Sequence, residues 1–360
     1  MHITSLQITQ LRNICSTQID CAPQFNLFFG DNAAGKTSVL EAIYYLGAGK
    51  SFRTHQHNHV IQQSEDQLML FARLHSDDVL LQIGLQRSRD GYLQIRFNEE
   101  TMHSIAEISY ALPIQFIGSD SHRILSDGPK CRRQFLDWGL FHTNPLFYSQ
   151  WKTYQKILIQ RNAALKARAP RNELLIWNEQ FSKAGEALNL LRKAYLDDFL
   201  PVFNKIAPVL LENTPLSVDY FPGWDRNITL DACLNQNVSR ETMIGHSLYG
   251  PHRADLMLTV NDLPVQDGLS QGQQKLVSYA LRLAQGVHLH SCTSKTPIYL
   301  IDDLPSELDP QKRVLVTEIL MGLCAQVFIT GIESHDLQDI YDRNHENKMF
   351  HVKHGVVTPC

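Results

Sequence analysis

Apolar and polar positions alternate from Ile3 to Gln10, a compact apolar run follows at Phe25 to Phe29, and two more alternating stretches lie between Leu68 and Phe97 around the turn dipeptide Asp90-Gly91. Alternation with period two predicts half-buried strands, so the first block reads as α/β with a β-meander. The rhythm changes near residue 110. Leu174, Trp177, Phe181, Ala184, Leu188, Leu191 and Tyr195 recur at steps of 3 and 4, a seam of period 3.5 that a facing helix must bury. Phe147, Trp151, Tyr154, Leu158 and Leu165 supply the facing stripe. With Ala169-Pro170-Arg171 as the turn, the pattern predicts an antiparallel helical pair over 146–168 and 172–199, ended by Pro201 and Pro208. At about 1.5 Å per residue this pair projects as an arm of roughly 35–40 Å; the alternative is a plain bundle lying flat. Beyond residue 245 an apolar helix over 273–288, a strand at Ile298 to Ile301, a helix after Pro310 and a strand at Val327 to Thr330 predict a parallel sheet. Three blocks result, 1–110, 111–244 and 245–360.

The chain has 360 residues, 43% of them apolar, enough for two or three domains with ordinary cores. Lys plus Arg number 33 against 37 Asp plus Glu, so no polycationic coat for nucleic acid or lipid is expected, and any basic surface must be local. It is local: residues 123–193 carry thirteen basic and five acidic side chains, a balance of +8 that leaves −12 for the remainder. Lys152, Lys156, Arg161, Lys166 and Arg168 are the candidate phosphate contacts, for salt-dependent binding that reads shape and backbone rather than bases. Solvated helix faces with pairs inside the hairpin are the alternative reading of the same charges. No stretch reaches 18 apolar residues and the first residues alternate like a strand, which predicts a soluble cytoplasmic chain without a membrane partner. Seven scattered cysteines without a C-x-x-C pair fit reduced thiols, with neither disulfide nor zinc.

The chemistry concentrates in three places. Gly30-Asp31-Asn32-Ala33-Ala34-Gly35-Lys36-Thr37 fits G-x-x-x-x-G-K-[ST], between the strand ending at Phe29 and the helix that follows. In that setting backbone amides cradle phosphate oxygens, Lys36 places a cation on the β and γ phosphates of ATP, and the Thr37 hydroxyl ligates Mg²⁺. The strand Ile298 to Ile301 delivers Asp302 and Asp303 at its carboxyl end, where ligands of parallel sheets bind. Asp302 is the expected magnesium partner and Asp303 the carboxylate that orients or deprotonates the attacking water. Ser270-Gln271-Gly272-Gln273 opens a helix as a second anion site, weak by itself. A P-loop, an S-x-G-Q turn and an Asp-Asp strand, in that order along the chain, define an ABC-type ATPase head, and because Lys36 and Asp302 are so far apart the nucleotide fold is discontinuous, its halves separated by the helical insert.

The chain resembles the RecF family of bacterial DNA repair proteins, relatives of the SMC-type ATPases. The resemblance spans nearly the whole chain and is carried also by Leu11-Arg12-Asn13, Arg132-Arg133-Gln134-Phe135-Leu136-Asp137, Gly250-Pro251-His252-Arg253-Ala254-Asp255 and Ser306-Glu307-Leu308-Asp309. It implies an ABC-type P-loop head made of N- and C-terminal parts with an inserted antiparallel coiled-coil arm. It implies nucleotide contacts from Arg12 and Asn13, a Mg²⁺-sensing role for Gln115, and Ser270 to Gln273 acting in trans on the ATP of a second copy. The implied activity is slow, DNA-dependent ATP hydrolysis that gates a homodimeric clamp on single-stranded or junction DNA, assisting recombinase loading with other mediator proteins and linked to the SOS response. Ala33 stands where the family usually has glycine, Ser119-Asp120 replace a Pro-Glu pair, and Thr330 stands where ABC heads often carry histidine. A transporter subunit and a small-molecule phosphotransferase are the competing classes; His252 reads as structural or interfacial.

Overall fold

The computed structural model describes residues 1–76, 79–343 and 346–360, so Asp77 and Asp78, inside the second alternating stretch, lie outside the described residues. The chain divides into two units, Met1–Ser121 with Leu281–Cys360, and His122–Ala280. The division falls at 121 and 280 where the sequence pattern suggested 110 and 244. Residues 245–280 therefore group with the insert, because the strand Asp255–Val260 pairs with the strand Ser217–Phe221 of that block.

In the first unit β1 (His2–Leu11), β2 (Ile14–Asp20), β4 (Gln67–Ser76), β5 (Val79–Ser88), β6 (Leu93–Phe97) and β7 (Glu100–Met102) form an antiparallel sheet in the order β2-β1-β4-β5-β6-β7. Leu6 and Ile8, two apart, share one buried face, and the register shifts between Ile3 and Ser5, so that Ile3 is fully buried as well. A second six-stranded sheet, β15-β14-β3-β13-β12-β8, is assembled from both ends of the chain. It takes β3 (Phe25–Phe29) and β8 (Ile114–Ile117) from the N-terminal part, and β12 (Ile298–Ile301), β13 (Val327–Gly331), β14 (Asn347–Lys353) and β15 (Val356–Pro359) from the C-terminal part. All pairs are parallel except β14 with β15. Its central strands are continuous apolar runs because helices or the other sheet cover both faces. Helix α1 (Lys36–Ala48) packs on strands of both sheets, and Val39, Leu40 and Ile43 join Ile8, Phe28 and Phe328 in one core. Short α2 (Ile105–Ala111) follows β7, capped by the Ser104 hydroxyl on the Ala106 amide.

The second unit holds α3 (Arg123–Ser126), α4 (Pro129–Thr143), α5 (Phe147–Lys166), α6 (Arg171–Leu210), α7 (Leu230–Ile244), α8 (Val265–Gly268), the start of α9 (Gln271–Thr293), and a small sheet of β9 (Ser217–Phe221), β10 (Asp255–Val260) and β11 (Leu263–Pro264). The predicted seam is present: Leu174, Phe181, Leu188 and Tyr195 of α6 are buried with Phe147, Tyr154 and Leu165 of α5. Two expectations are corrected. Pro201 and Pro208 lie inside α6 instead of ending it. The carbonyls they leave without an amide, on Asp197 and Asn204, belong to exposed residues that water can serve, while Phe199, Phe203 and Leu210 anchor the opposite face. Nor is the pair a free two-helix arm: α7, capped by Thr229 and ended by Gly245 at φ 81°, packs on both helices and makes a three-helix layer. The remaining elements, α10 (Leu304–Glu307), α11 (Pro310–Gly322) and α12 (Gln338–Tyr341), belong to the first unit.

Candidate nucleotide site

The carboxyl ends of β3, β13 and β12 lie side by side, in registers that pair Phe28 with Thr330 and Ile301 with Ile329. Gly30 leaves β3 at φ 147°, and a Cβ there would lie 2.2 Å from the Val352 carbonyl oxygen, so only glycine lets the loop pass β14. Gly35, at φ 117°, opens α1, whose first turn carries no acidic residue. The amides and dipole of that helix end favour an anion. Ala33 holds φ 65°, a left-handed conformation that costs an L residue about 1 kcal/mol.

Lys36 is buried and its ammonium donates to the carbonyls of Gly30 (2.5 Å) and Asp31 (2.9 Å). Burial lowers its pKa, opposed by the carboxylates of Asp303, Asp302 and Asp31. The Thr37 hydroxyl lies 3.0 and 3.1 Å from the two Asp302 oxygens. The Asp302 pKa is raised by burial, against the hydrogen bonds it accepts from Thr330 and Thr37. Asp303 caps α10 in a left-handed turn, and its Oδ1 is buried without a hydrogen-bond partner among the described residues. Hard oxygens on Thr37 and Asp302, with an unsatisfied carboxylate oxygen beside them, are a donor set that suits Mg²⁺.

Arg12 and Asn13 brace this loop. The Arg12 guanidinium forms a fork with Glu41 at 2.9 and 2.8 Å, and Glu41, fully buried on α1, also accepts from Ser51. Asn13 donates to the carbonyls of Ala33 and Ala34 and accepts from Ser38. Gln115 does not occupy the expected sensing position. It sits inside β8, two residues before the strand's end, fully buried, with its amide donating to Gln285 and its carbonyl accepting from Arg282, both on α9. The residues that leave the end of β8 are Gly118, Ser119 and Asp120, and a Cβ on Gly118 would meet that of Asp302 at 3.5 Å.

In the second unit Ser270 and Gln273 form a reciprocal capping box. The Gln273 backbone N–H donates to the Ser270 hydroxyl and the Ser270 backbone N–H to the Gln273 side-chain Oε1. Ser270, Gln271 and Gly272 are exposed, and no atom lies within 4 Å of a Cβ built on Gly272. Lys152, Lys156, Lys166 and Arg168 are exposed on α5 and at its end. Arg161 is not. It is fully buried, donates to Asn178, Ser247 and Glu241, and lies over the Phe181 ring, so it cannot reach a phosphate. Arg132 is likewise tied to Asp255 at 2.7 Å. Since Asp255 and Glu241 lie outside 123–193, these two pairs reduce the free excess of that segment from +8 to +6.

The family pattern described as the RecF/RecN/SMC N terminal domain matches residues 2–358. The DNA replication and repair protein RecF of Coxiella burnetii (strain RSA 493 / Nine Mile phase I) is 44% identical over 356 residues, 99% of each chain. The chain belongs to the RecF family. RecF of Shewanella baltica (strain OS185) is 42% identical over 360 residues, again 99% of each chain. A solved structure described as the recombination mediator protein RecF-ATP in the RecFOR pathway superposes with a TM-score of 0.88 at 24% identity, covering 100% of this chain and 97% of that one. An Smc head bound to the C-winged helix domain of ScpA superposes at 0.62 with 13% identity, covering 100% and 97%. Both structures show the fold: an ABC-type head.

Within this RecF-family chain two site residues escaped sequence reasoning. Glu41 gives no signal, since a single acid in an apolar helix looks like any solvated position. Thr330 stands where ABC heads often carry histidine, and its hydroxyl donates to Asp302 and accepts the Asp303 amide, both at 2.7 Å. The Gly-Pro-His-Arg block proves to be an internal lock. The Tyr154 hydroxyl pairs with His252 Nδ1 at 2.7 Å, His252 Nε2 with the Ser247 carbonyl at 3.1 Å, and burial lowers the His252 pKa to about 4.

Proposed function

We propose that the chain is an ATP-gated DNA-binding protein of recombinational repair and replication, closing as a homodimer on DNA when it holds ATP and reopening after slow hydrolysis. The observation that carries this reading is the meeting of Lys36, Thr37, Asp302 and Asp303 at the carboxyl ends of β3 and β12 in a chain of the RecF family. Support comes from relatives named DNA replication and repair protein and from a matching fold described with ATP.

Residues Gly30 to Thr37 hold the triphosphate, shaped by Arg12 and Asn13, and Lys36 leaves its loop carbonyls for the phosphates. Thr37 and Asp302 would hold Mg²⁺, which when bound neutralises phosphate charge. Water forms the new bond to the γ-phosphorus as the bond to the bridging oxygen breaks, giving ADP and phosphate, while Asp303 takes the water's proton. An aspartate has a short reach, hence slow turnover. The exposed Ser270-Gln271-Gly272-Gln273 turn offers hydroxyl and helix amides to the γ-phosphate of a second copy, so that ATP joins an isologous dimer. Other mediator proteins of the pathway are the expected partners. Among the described residues no helix is long and apolar enough to cross a membrane.

Lys152, Lys156 and Arg168, spread over roughly 24 Å of α5 and its end, would meet DNA phosphates. The test is DNA affinity against ionic strength, with and without a non-hydrolysable ATP analogue, on gapped and intact duplexes. Replacing the three by Gln is expected to reduce the log–log salt slope by about 2 to 3. Equal slopes for variant and parent would remove this surface from the reading.

A further inference from the structure

Asp303 holds φ 53° and ψ 46°, a conformation that a non-glycine residue seldom keeps without support. Its carbonyl accepts the Ser306 amide at 3.0 Å, which closes the turn from one side. The other side is held by one atom. Thr330, 1% exposed on β13 between β3 and β12, accepts the Asp303 N–H and donates to Asp302 Oδ1 through the same hydroxyl oxygen, each at 2.7 Å. Asp302 shares its carboxylate with Thr37, and the Asp303 Oδ1 is left buried and, among the described residues, unpartnered. A hydroxyl is the smallest side-chain group that donates and accepts at once, so valine of the same shape can replace neither bond and serine can replace both.

We propose that Thr330 is a positioning residue that fixes the two carboxylates relative to one another and thereby sets the rate of ATP hydrolysis instead of nucleotide affinity. It orients the Asp302 carboxylate through one bond and holds the Asp303 backbone in the left-handed turn through the other, which leaves the free Asp303 oxygen as the base. The proposal rests on the ATPase reading above. It differs from a contact between this strand end and the phosphate, because both polar functions of the hydroxyl are already engaged by the protein.

The experiment compares full-length parent, Thr330→Val and Thr330→Ser by three readouts: amide hydrogen exchange at Asp303 without nucleotide, affinity for a fluorescent ATP analogue, and ATP turnover with DNA. For Thr330→Val the Asp303 amide is expected to exchange at least about tenfold faster, affinity to stay within about threefold, and kcat to fall about a hundredfold, the scale of a misplaced general base. Thr330→Ser is expected to match the parent within about threefold in all three. Unchanged exchange and turnover in Thr330→Val would overturn the proposal, as would joint loss of affinity and turnover in both variants. If the parent itself turns over no ATP, the proposed function fails, and the exchange comparison alone decides whether Thr330 holds the turn.

Discussion

Arg161 offers the sharpest test of how the helical unit is built. Both it and Glu241 have no exposed side-chain surface, and the guanidinium makes four hydrogen bonds to Asn178, Ser247 and Glu241. Arg161→Met leaves the Glu241 carboxylate buried, keeping the Leu248 amide at 2.7 Å but losing the cation. Removing one partner of a buried pair costs about 3–5 kcal/mol. All four tryptophans, Trp138, Trp151, Trp177 and Trp224, lie in this unit, so their fluorescence in a urea titration follows its unfolding. With a slope of about 2 kcal/mol per molar, the midpoint should fall by roughly 1.5–2.5 M. Arg161→Met with Glu241→Gln removes both charges, and the double variant should recover about 2 kcal/mol of the summed losses. A single variant within about 0.3 M of the parent would refute the buried pair as a structural element. A variant that stays folded but loses DNA affinity would return Arg161 to the phosphate contacts.

Three further outcomes are expected. Gly30→Ala, whose Cβ would strike the Val352 carbonyl oxygen, should cost about 2 kcal/mol or more in thermal stability and abolish nucleotide binding; normal binding would show that the loop passes β14 differently. Asp303→Asn removes the base but not the phosphate cradle, so it should accumulate an ATP-bound dimer in sizing experiments; an unchanged monomer population would refute the closing role of ATP. His252 titrates lower in the folded chain, about 4 against 6.5, so the unfolded chain binds its proton first as pH falls. Stability should therefore decline between pH 6.5 and 4 by on the order of 3 kcal/mol and level off below; His252→Gln should lose less over the same range, and equal losses would argue against the lock.

Much of the head was legible because its chemistry is local. A phosphate loop needs its glycines, lysine and threonine within eight positions, and a buried parallel strand announces itself as four apolar residues before two acids. The helical seam was legible too, since Leu174 to Tyr195 repeat over six steps. Arg161 lies on the same stripe as Tyr154, Leu158 and Leu165, so its register places it inside although its charge suggests solvent. Its partner Glu241 is eighty residues away, and only folding brings α7 over α5 and α6. Pro201 and Pro208 misled for a similar reason, because a helix with a well-anchored apolar face tolerates prolines on its wet side. Gln115 carries no signal of its own in the sequence, because its burial against Gln285 and Arg282 depends on a helix far along the chain.

Sequence by itself determined which segments could become strands and helices, that a glycine-lysine-threonine loop opens the first helix, and that two acids follow the buried strand ending at Ile301, since each follows from spacing and side-chain type within one segment. Tertiary structure decided which polar groups are engaged and which are free. The Thr330 hydroxyl is shared between Asp302 and Asp303, Arg161 is withdrawn from the surface, and Lys152, Lys156, Lys166 and Arg168 remain exposed. The reason is that hydrogen bonds and burial are settled between residues distant along the chain, and a buried polar group takes whichever partner the packing brings to it.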